Sequence, residues 1–516
     1  MKTHINYYLT HLRQDIPAGI VVFLVALPLC LGIALASGAP LFSGIIAGLI
    51  GGIVVSWMSG SHLSVSGPAA GLTVIVLNGI ETLGSFNGFL VSLVLAGVLQ
   101  VVLGFLKAGV IGAFFPASVI KGMLAAIGLI LIIKQTPHAT GYDISYDGDE
   151  SYMQETAETS FFEFFQSLEG ITPGVTLVSA VSLLILIIWD SAYLKRFSGL
   201  RRIPGALLAV VWGISYNLLA VRFAPDWVIG EKHLVALPPL GNPAAFVEQL
   251  LWPDFSHLGN IKVYSIAITL AIIASLETLL SIEAVDKLDP YKRTTPTNRE
   301  LKAQGLGNII SGLMGGLPIT AVIVRSSANI NAGGQTRMSC FLHGLLLLVS
   351  VLFFSHHLNA IPLACLAAIL LQTGYKLAKP KLFMEFYRKG WNQFLPFAIT
   401  VIAILVTDLL QGIVIGMACG FFFVLKANYQ AAITLTQHNS HYLLRLHKDV
   451  SFLNKALLRK HLNTIPKNSV LIIDGYKAQF VDYDIMETIN DFVLTAANRN
   501  IAVELEGFSV ATTPTL

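Results

Sequence analysis

Two stretches, SHLSVSGPAAGLTVIVLNG (61–79) and GGLPITAVIVRSSANINAGGQT (315–336), carry residue types in an order that can hold an anion without a metal. Each leads an extended polar segment through glycine and proline into a short apolar helix. The first turn of a helix has backbone N–H groups without intrahelical partners and carries the positive end of the helix dipole. Two such turns facing each other in a dry setting make an anion site. Gly315 and Gly316 permit an extended approach. Pro318 fits a first helical turn, where a missing N–H costs nothing, so the helices are expected to start near Ala69 and Thr320, with the Thr320 hydroxyl as a further ligand.

A second kind of chemistry is written in SIAITLAIIASLETLLSIEAVDKLDP (265–290), which places Glu277 inside an apolar run and Ser281 four residues on, on the same helix face. A carboxylate at membrane depth is costly unless it is paired, protonated or bound to a cation. Glu277 is therefore read either as a coupling group, holding a proton or contributing to a Na⁺ site, or as a buried acid satisfied by hydroxyls and backbone. Arg325, five residues past Thr320, is placed beyond the first helical turn. There it could act on the anion through its field, or pair with Glu277 or a helix end. Glu283 and Asp286 read as interface residues, and Glu81 and Asp408 as span ends. His62, His343, His356 and His357 form no catalytic arrangement.

The elements that must position these groups follow from composition. The chain has 516 residues, 54% hydrophobic and 12% charged, with mean hydropathy +0.70. A soluble domain carries roughly 25% charged residues. Splitting the apolar runs at glycine and proline gives fourteen segments, at 17–37, 41–59, 68–80, 88–106, 111–134, 174–192, 203–220, 262–283, 299–313, 320–332, 338–355, 361–374, 393–409 and 411–427. Most are long enough for a ~30 Å hydrocarbon core; the third and tenth, which hold the two broken stretches, are short. Their separation is half of fourteen, and matching interrupted segments in two halves point to a midplane transport site. An odd number of spans per half turns the second half over, so both breaks reach the same depth. The first run, PAGIVVFLVALPLCLGIALASG, is read as a retained helix rather than a signal peptide.

Charge orients the spans. With the N-terminus (1–16) inside, three basic loops face the cytoplasm: KRFSGLRR (195–202), the loop with Lys287, Lys292, Arg293, Arg299 and Lys302, and the loop with Lys376, Lys379, Lys381, Arg388 and Lys389. Lys107 and Lys121 fit the same side. The acidic loop over 143–169 falls outside. Cys30, Cys340, Cys365 and Cys419 sit in apolar context without metal-ligand spacing, so they read as packing residues and no cofactor is expected. The net charge of +3 is spread over short loops and does not suggest nucleic acid. After the transport region (17–427), residues 438–512 differ in kind: KNSVLIIDGYKAQF, DIMETINDFVLTAANRN and IAVELEGF read as strand, helix and strand, a small cytoplasmic α/β domain with a parallel sheet.

The block GLPITAVIVRSSANINAGGQTRMS, the earlier SVSGPAAGLT and the SLETLLSIEAVDKLD run resemble the SulP family of anion transporters, and the tail resembles the STAS domain often fused to them. This resemblance implies a 7+7 inverted repeat in which a core domain moves against a gate domain, and a homodimer in a bacterial plasma membrane with both termini cytoplasmic. It also implies a substrate held by Ala69, Ala70, Thr73, Ile319, Thr320 and Ala321, with Glu277, Ser281 and Thr320 as coupling-ion candidates. Family members carry sulfate, bicarbonate, chloride or dicarboxylates with H⁺ or Na⁺, or by exchange. The first span, ALPLCLGIALASGAP (26–40), is similar to that of sodium-dependent bicarbonate transporters, which leans the expectation to bicarbonate, with proton-coupled sulfate transport as the alternative. The STAS-like turn reads VDYD (481–484), without the phosphorylatable serine of anti-sigma antagonists.

An anion exchanger or channel on the same scaffold is a further alternative, and a channel would need no coupling carboxylate. A nucleobase permease would need paired amide or carboxylate hydrogen-bonders, where these breaks offer small residues and hydroxyls. No nucleophile–base set points to an enzyme.

Overall fold

The computed structural model describes residues 2–110, 116–142, 171–191, 203–238, 243–407 and 409–508. The acidic loop, the KRFSGLRR loop and Asp408 lie outside them. The chain divides into two compact units, Met1–Gly416 and Met417–Leu516.

In the first unit every apolar segment of the sequence contains a helix. These are α1 (Lys2–Ala36), α2 (Leu41–Ile50), α3 (Thr73–Leu83), α4 (Phe86–Phe105), α5 (Ala117–Thr140), α6 (Pro173–Trp189), α7 (Gly205–Phe223), α8 (Ile261–Leu288), α9 (Thr297–Leu313), α10 (Ile323–Asn331), α11 (Met338–Leu358), α12 (Leu363–Leu377) and α13 (Trp391–Val406); α14 (Leu409–Ala431) crosses the boundary between the units. A π turn, Gly51–Val55, prolongs α2 toward Met58. Seven of the described helices are long and apolar enough to cross a membrane, and shorter apolar helices accompany them. Local signals set several starts: the Ser85 side chain accepts from Gly88 N–H ahead of α4, and Asn260 accepts from Lys262 N–H ahead of α8.

The two broken stretches depart from the expected helix starts. Residues Ser66–Pro68 form β1 and Ile319–Ala321 form β2, paired antiparallel with Gly67 opposite Thr320. Helix resumes only at Thr73, after a 3₁₀ turn over Ala70–Leu72, and at Ile323. Pro68 and Pro318 thus precede the helices instead of opening them, and Thr320 is a strand residue. The reason is backbone satisfaction: away from water, extended N–H and C=O groups need partners, and each stretch supplies them to the other.

The outer edge of β2 has its own partners. Ile319 N–H donates to Asn308 Oδ1 at 2.6 Å, and Asn308 Nδ2 donates to Ile319 O at 3.1 Å and to Gln100 Oε1 at 2.7 Å. Ser311 donates to Leu317 O at 2.7 Å, and Gln304 Nε2 to Ser66 Oγ at 2.7 Å and Glu300 Oε1 at 2.9 Å. Glu300, Gln304, Asn308 and Ser311 recur at helical spacing along α9 and are fully buried or nearly so. Beyond the ribbon, Val322 N–H donates to Val65 O, Val65 N–H to Ser326 Oγ, and Asn329 Nδ2 to Leu63 O. Asp15 of α1 accepts from Gln335 N–H, Thr336 N–H and the Thr336 hydroxyl.

In the second unit, β3 (Ile433–His438), β4 (His441–Val450), β5 (Val470–Val481) and β6 (Ala502–Glu506) form one sheet in that order. The strand–helix–strand reading holds for β5, α16 (Tyr483–Ala496) and β6; α15 (Lys455–Thr464) precedes them. The sheet is mixed, however: β4, β5 and β6 are parallel, but β3 joins β4 as an antiparallel hairpin. Ile473, Ile485 and Ile489 are fully buried in its core.

Asn308→Ala should leave the Ile319 N–H and C=O buried and unpaired, at about 1–3 kcal/mol for each group. The expected result is a lowered thermal unfolding midpoint for the detergent-purified protein, with Asn308→Gln intermediate. An unchanged midpoint would remove Asn308 as the clamp of β2.

Candidate functional site

The ribbon has two unlike faces. Directly opposed residues of an antiparallel pair point to the same side, so Thr320 projects on the side toward which a Cβ at Gly67 would point. That Cβ would stand 2.4 Å from Arg325 Nη1, so only glycine leaves room for the guanidinium. Arg325 and Thr320 thus share one face. The other face carries Ser66, bonded to Gln304, and Ile319, near Gly307 of α9.

Arg325 sits in the first turn of α10, not beyond it, because that helix begins at Ile323. Its side chain is wholly buried. Nη2 donates to Pro68 O at 3.4 Å, Nε and Nη1 have no hydrogen-bond partner, and the Cys30 thiol lies close by. No ion pair joins it to Glu277 among the described residues. A buried guanidinium without a carboxylate leaves a net positive field, costly unless an anion answers it.

Glu277 lies elsewhere in the same site. Its carboxylate accepts from Gly71 N–H, at the start of the turn that leads into α3. A Cβ on Gly71 would lie 2.7 Å from Oε1 and 2.9 Å from Oε2. The negative group therefore rests against the positive end of a helix, with Oε2 buried and unpartnered. Ser281 is buried one turn farther along α8, and Thr278 Oγ1 accepts from Ala321 N–H at 3.4 Å.

The other expected ligands divide by what their polar groups already do. Thr320 Oγ1 is buried without a partner, so its hydroxyl is available. Thr73 Oγ1 donates to Ala70 O at 2.8 Å, which commits its proton locally. Ile319 has both backbone groups bound to Asn308 and offers no N–H to an anion. Ala69 and Ala70 lie where β1 gives way to the 3₁₀ turn, and Ala321 ends β2. The helix starts move the first-turn amides of the second break from Thr320 to Ile323 and Val324, residues that are 40% and 56% exposed. Sequence reasoning missed these amides and the α9 clamp. The polar stripe Glu300, Gln304, Asn308 and Ser311 on an otherwise apolar span was the signal for the clamp.

Among the described residues no group of three or more His, Cys, Asp or Glu could hold a metal ion. What the arrangement offers is one free hydroxyl, one uncompensated cation and one carboxylate with a free oxygen, around two helix starts.

Gly71→Ala tests that geometry. The intruding methyl meets the mobile end of Glu277, so folding should be largely kept while the carboxylate is pushed aside. The expected outcome is a thermal midpoint close to wild type with solute uptake reduced at least about tenfold, equivalent to roughly 1.4 kcal/mol. Uptake at the wild-type rate would separate Glu277 from the site.

The profile of the Sulfate permease family matches residues 12–416. YvdB of Bacillus subtilis (strain 168), whose name assigns it provisionally to sulfate transport, is 28% identical over 498 residues, covering 92% of this chain and 88% of that one. The bicarbonate transporter BicA of Picosynechococcus sp. (strain ATCC 27264 / PCC 7002 / PR-6) is 28% identical over 373 residues, covering 70% of this chain and 61% of BicA. The solved structure of SLC26A9 superposes with a TM-score of 0.78 at 16% identity, over 97% of this chain and 85% of that one, which establishes likeness of fold. The C-terminal sheet resembles a STAS domain. A match over residues 12–416, on a fold that brings two broken helices together at the ribbon, means that this chain belongs to the sulfate permease (SulP) family of anion transporters.

Proposed function

We propose that the chain is a secondary active transporter of a small inorganic oxyanion, with bicarbonate favoured, driven by Na⁺ or H⁺ through Glu277. The observation that carries the reading is the pairing of an uncompensated buried Arg325 with an unpartnered Thr320 hydroxyl on one face of the ribbon. Together they attract and orient an oxyanion near the free first-turn amides of α10 and the turn that opens α3. Glu277 holds the coupling cation or proton at the start of α3, where loading one site changes the field felt by the other. Such mutual dependence is the linkage a symporter needs. BicA's name supports bicarbonate and YvdB's supports sulfate. The carboxylate, for which a passive channel has no use, favours coupled transport over a channel.

The packing supports an inverted 7+7 repeat. α1 packs on α11 and α8 on α4; α1 on α10 and α8 on α3; α2 on α11 and α9 on α4; α5 on α13 and α12 on α6. Each second pairing repeats the first at an offset of seven helices, while β1–β2 and α5–α12 pair across the two halves. In this reading the core holds the ribbon with α1, α8 and their neighbours, the gate is built from α5, α6, α12 and α13, and alternating access moves one against the other. Both termini lie in the cytoplasm, and the STAS-like unit supports a homodimer.

Radiolabelled bicarbonate and sulfate uptake into proteoliposomes, at fixed pH with and without an inward Na⁺ gradient, tests the assignment. Na⁺-dependent bicarbonate uptake is expected; sulfate uptake driven only by an inward proton gradient would move the chain to proton-coupled sulfate transport. In the same vesicles Glu277→Gln should abolish gradient-driven uptake while sparing equilibrium exchange, and equal losses in both assays would strip Glu277 of its coupling role. Thr320→Val should raise the apparent Kd for the anion several-fold with little change in thermal midpoint. An unchanged Kd would remove the hydroxyl from the site.

A further inference from the structure

A short helix, Pro380–Arg388, links α12 to α13 and sorts its residues into three strips. Phe386 is buried, stacked on Phe397 of α13 at 4.7 Å between ring centroids; Phe383 meets the same ring edge-on at 5.0 Å. Met384 and Tyr387 are 53% and 56% exposed, on the apolar flank that α13 leaves uncovered. Tyr387 continues into an aromatic group with Trp391 and Phe394, and Trp391 is 63% exposed. Exposed Trp and Tyr with this amphipathic bearing are characteristic of the membrane–water interface.

The third strip is charged. The only carboxylate of the helix, Glu385, is engaged by Lys389 at 2.6 Å. Lys381 and Arg388, on the polar side next to Met384, make no ion pair among the described residues. Lys379 precedes the helix, and Glu385 also feels the charges of Lys121, from the neighbouring α5, and of Lys381, one turn before it, neither within ion-pair distance. An apolar flank beside unpaired cations, on a helix lying at the end of a membrane span, is the chemistry of an interfacial segment on an anionic bilayer surface.

We infer that Pro380–Arg388 is a docking site for an anionic phospholipid, its headgroup phosphate between Lys381 and Arg388 and its acyl chains along Met384, Tyr387 and Trp391. The inference rests on the chain being membrane-embedded, which its family gives, and is independent of the anion carried. Lipid binding at this foot would anchor α13 at the interface.

The full-length transporter, purified in detergent and delipidated, is exposed to phosphatidylglycerol or phosphatidylcholine, and bound lipid is counted by native mass spectrometry. Wild type should retain phosphatidylglycerol preferentially, and the double variant Lys381→Gln/Arg388→Gln should lose that preference on the order of tenfold. Lys381→Arg/Arg388→Lys should keep it. Equal preference in wild type and the neutral double variant, or loss in both double variants, overturns the site. Inorganic phosphate should not displace the lipid; displacement would assign the cations to a free anion instead. Should the neutral variant fail to elute as folded protein, wild type decides alone: the preference must fall as salt screens the headgroup contact, and a salt-independent preference overturns the site.

Discussion

Everything at the centre of this molecule depends on satisfying extended backbone where no water is at hand. Two helices are interrupted at depth, and each interruption exposes peptide groups that a lipid environment cannot pair. The three-residue ribbon Ser66–Pro68 with Ile319–Ala321 solves this by giving each break the other as its partner. Asn308 closes the remaining edge. Once that is done, each stretch passes on into the helix that follows it, at Thr73 and at Ile323.

The ribbon also divides labour between its faces. On one side, the polar stripe of α9 consumes hydrogen-bonding capacity: Gln304 is tied to Ser66 and Glu300, and Asn308 to Gln100 and Ile319. On the other, Thr320 and Arg325 keep theirs in reserve. Most of the polar atoms on the α9 side are paired, Gln304 Oε1 excepted, whereas Thr320 Oγ1 and Arg325 Nε and Nη1 are not. Gly67 and Gly71 mark where this economy is tightest, since a methyl group at either would strike Arg325 or Glu277.

Arg325 is buried and Glu277 is half-buried with Oε2 shut away from solvent, yet the two make no ion pair. Had they formed an ion pair, neither charge would remain uncompensated. Their separation, with Glu277 at Gly71 and Arg325 at Gly67 and Pro68, keeps two charges available across a span of a few residues of backbone. Charges held apart in this way are what the proposed coupled transport would use.

Residue order alone was enough to mark the apolar helices to within a few residues, because apolar run length and Gly/Pro punctuation are local properties; the same holds for β5, α16 and β6, but not for the polar helices Pro380–Arg388 and α15. It also marked the paired breaks, in the third and tenth apolar segments, and singled out Glu277, Thr320 and Arg325, since polar or charged residues in apolar surroundings are conspicuous in one dimension. The antiparallel pairing of residues roughly 250 apart was not legible, because a three-residue strand has no periodicity to read and proline ahead of a helix fits an N-terminal turn equally well. Nor was β3, a single antiparallel edge that local pattern does not distinguish from the end of α14. Which hydroxyl is free and which is spent, that Ile319 is clamped while Thr320 is not, and that the arginine and the glutamate stand apart, were decided by tertiary packing. Those are properties of neighbours brought together across the chain, and no single stretch of sequence carries them.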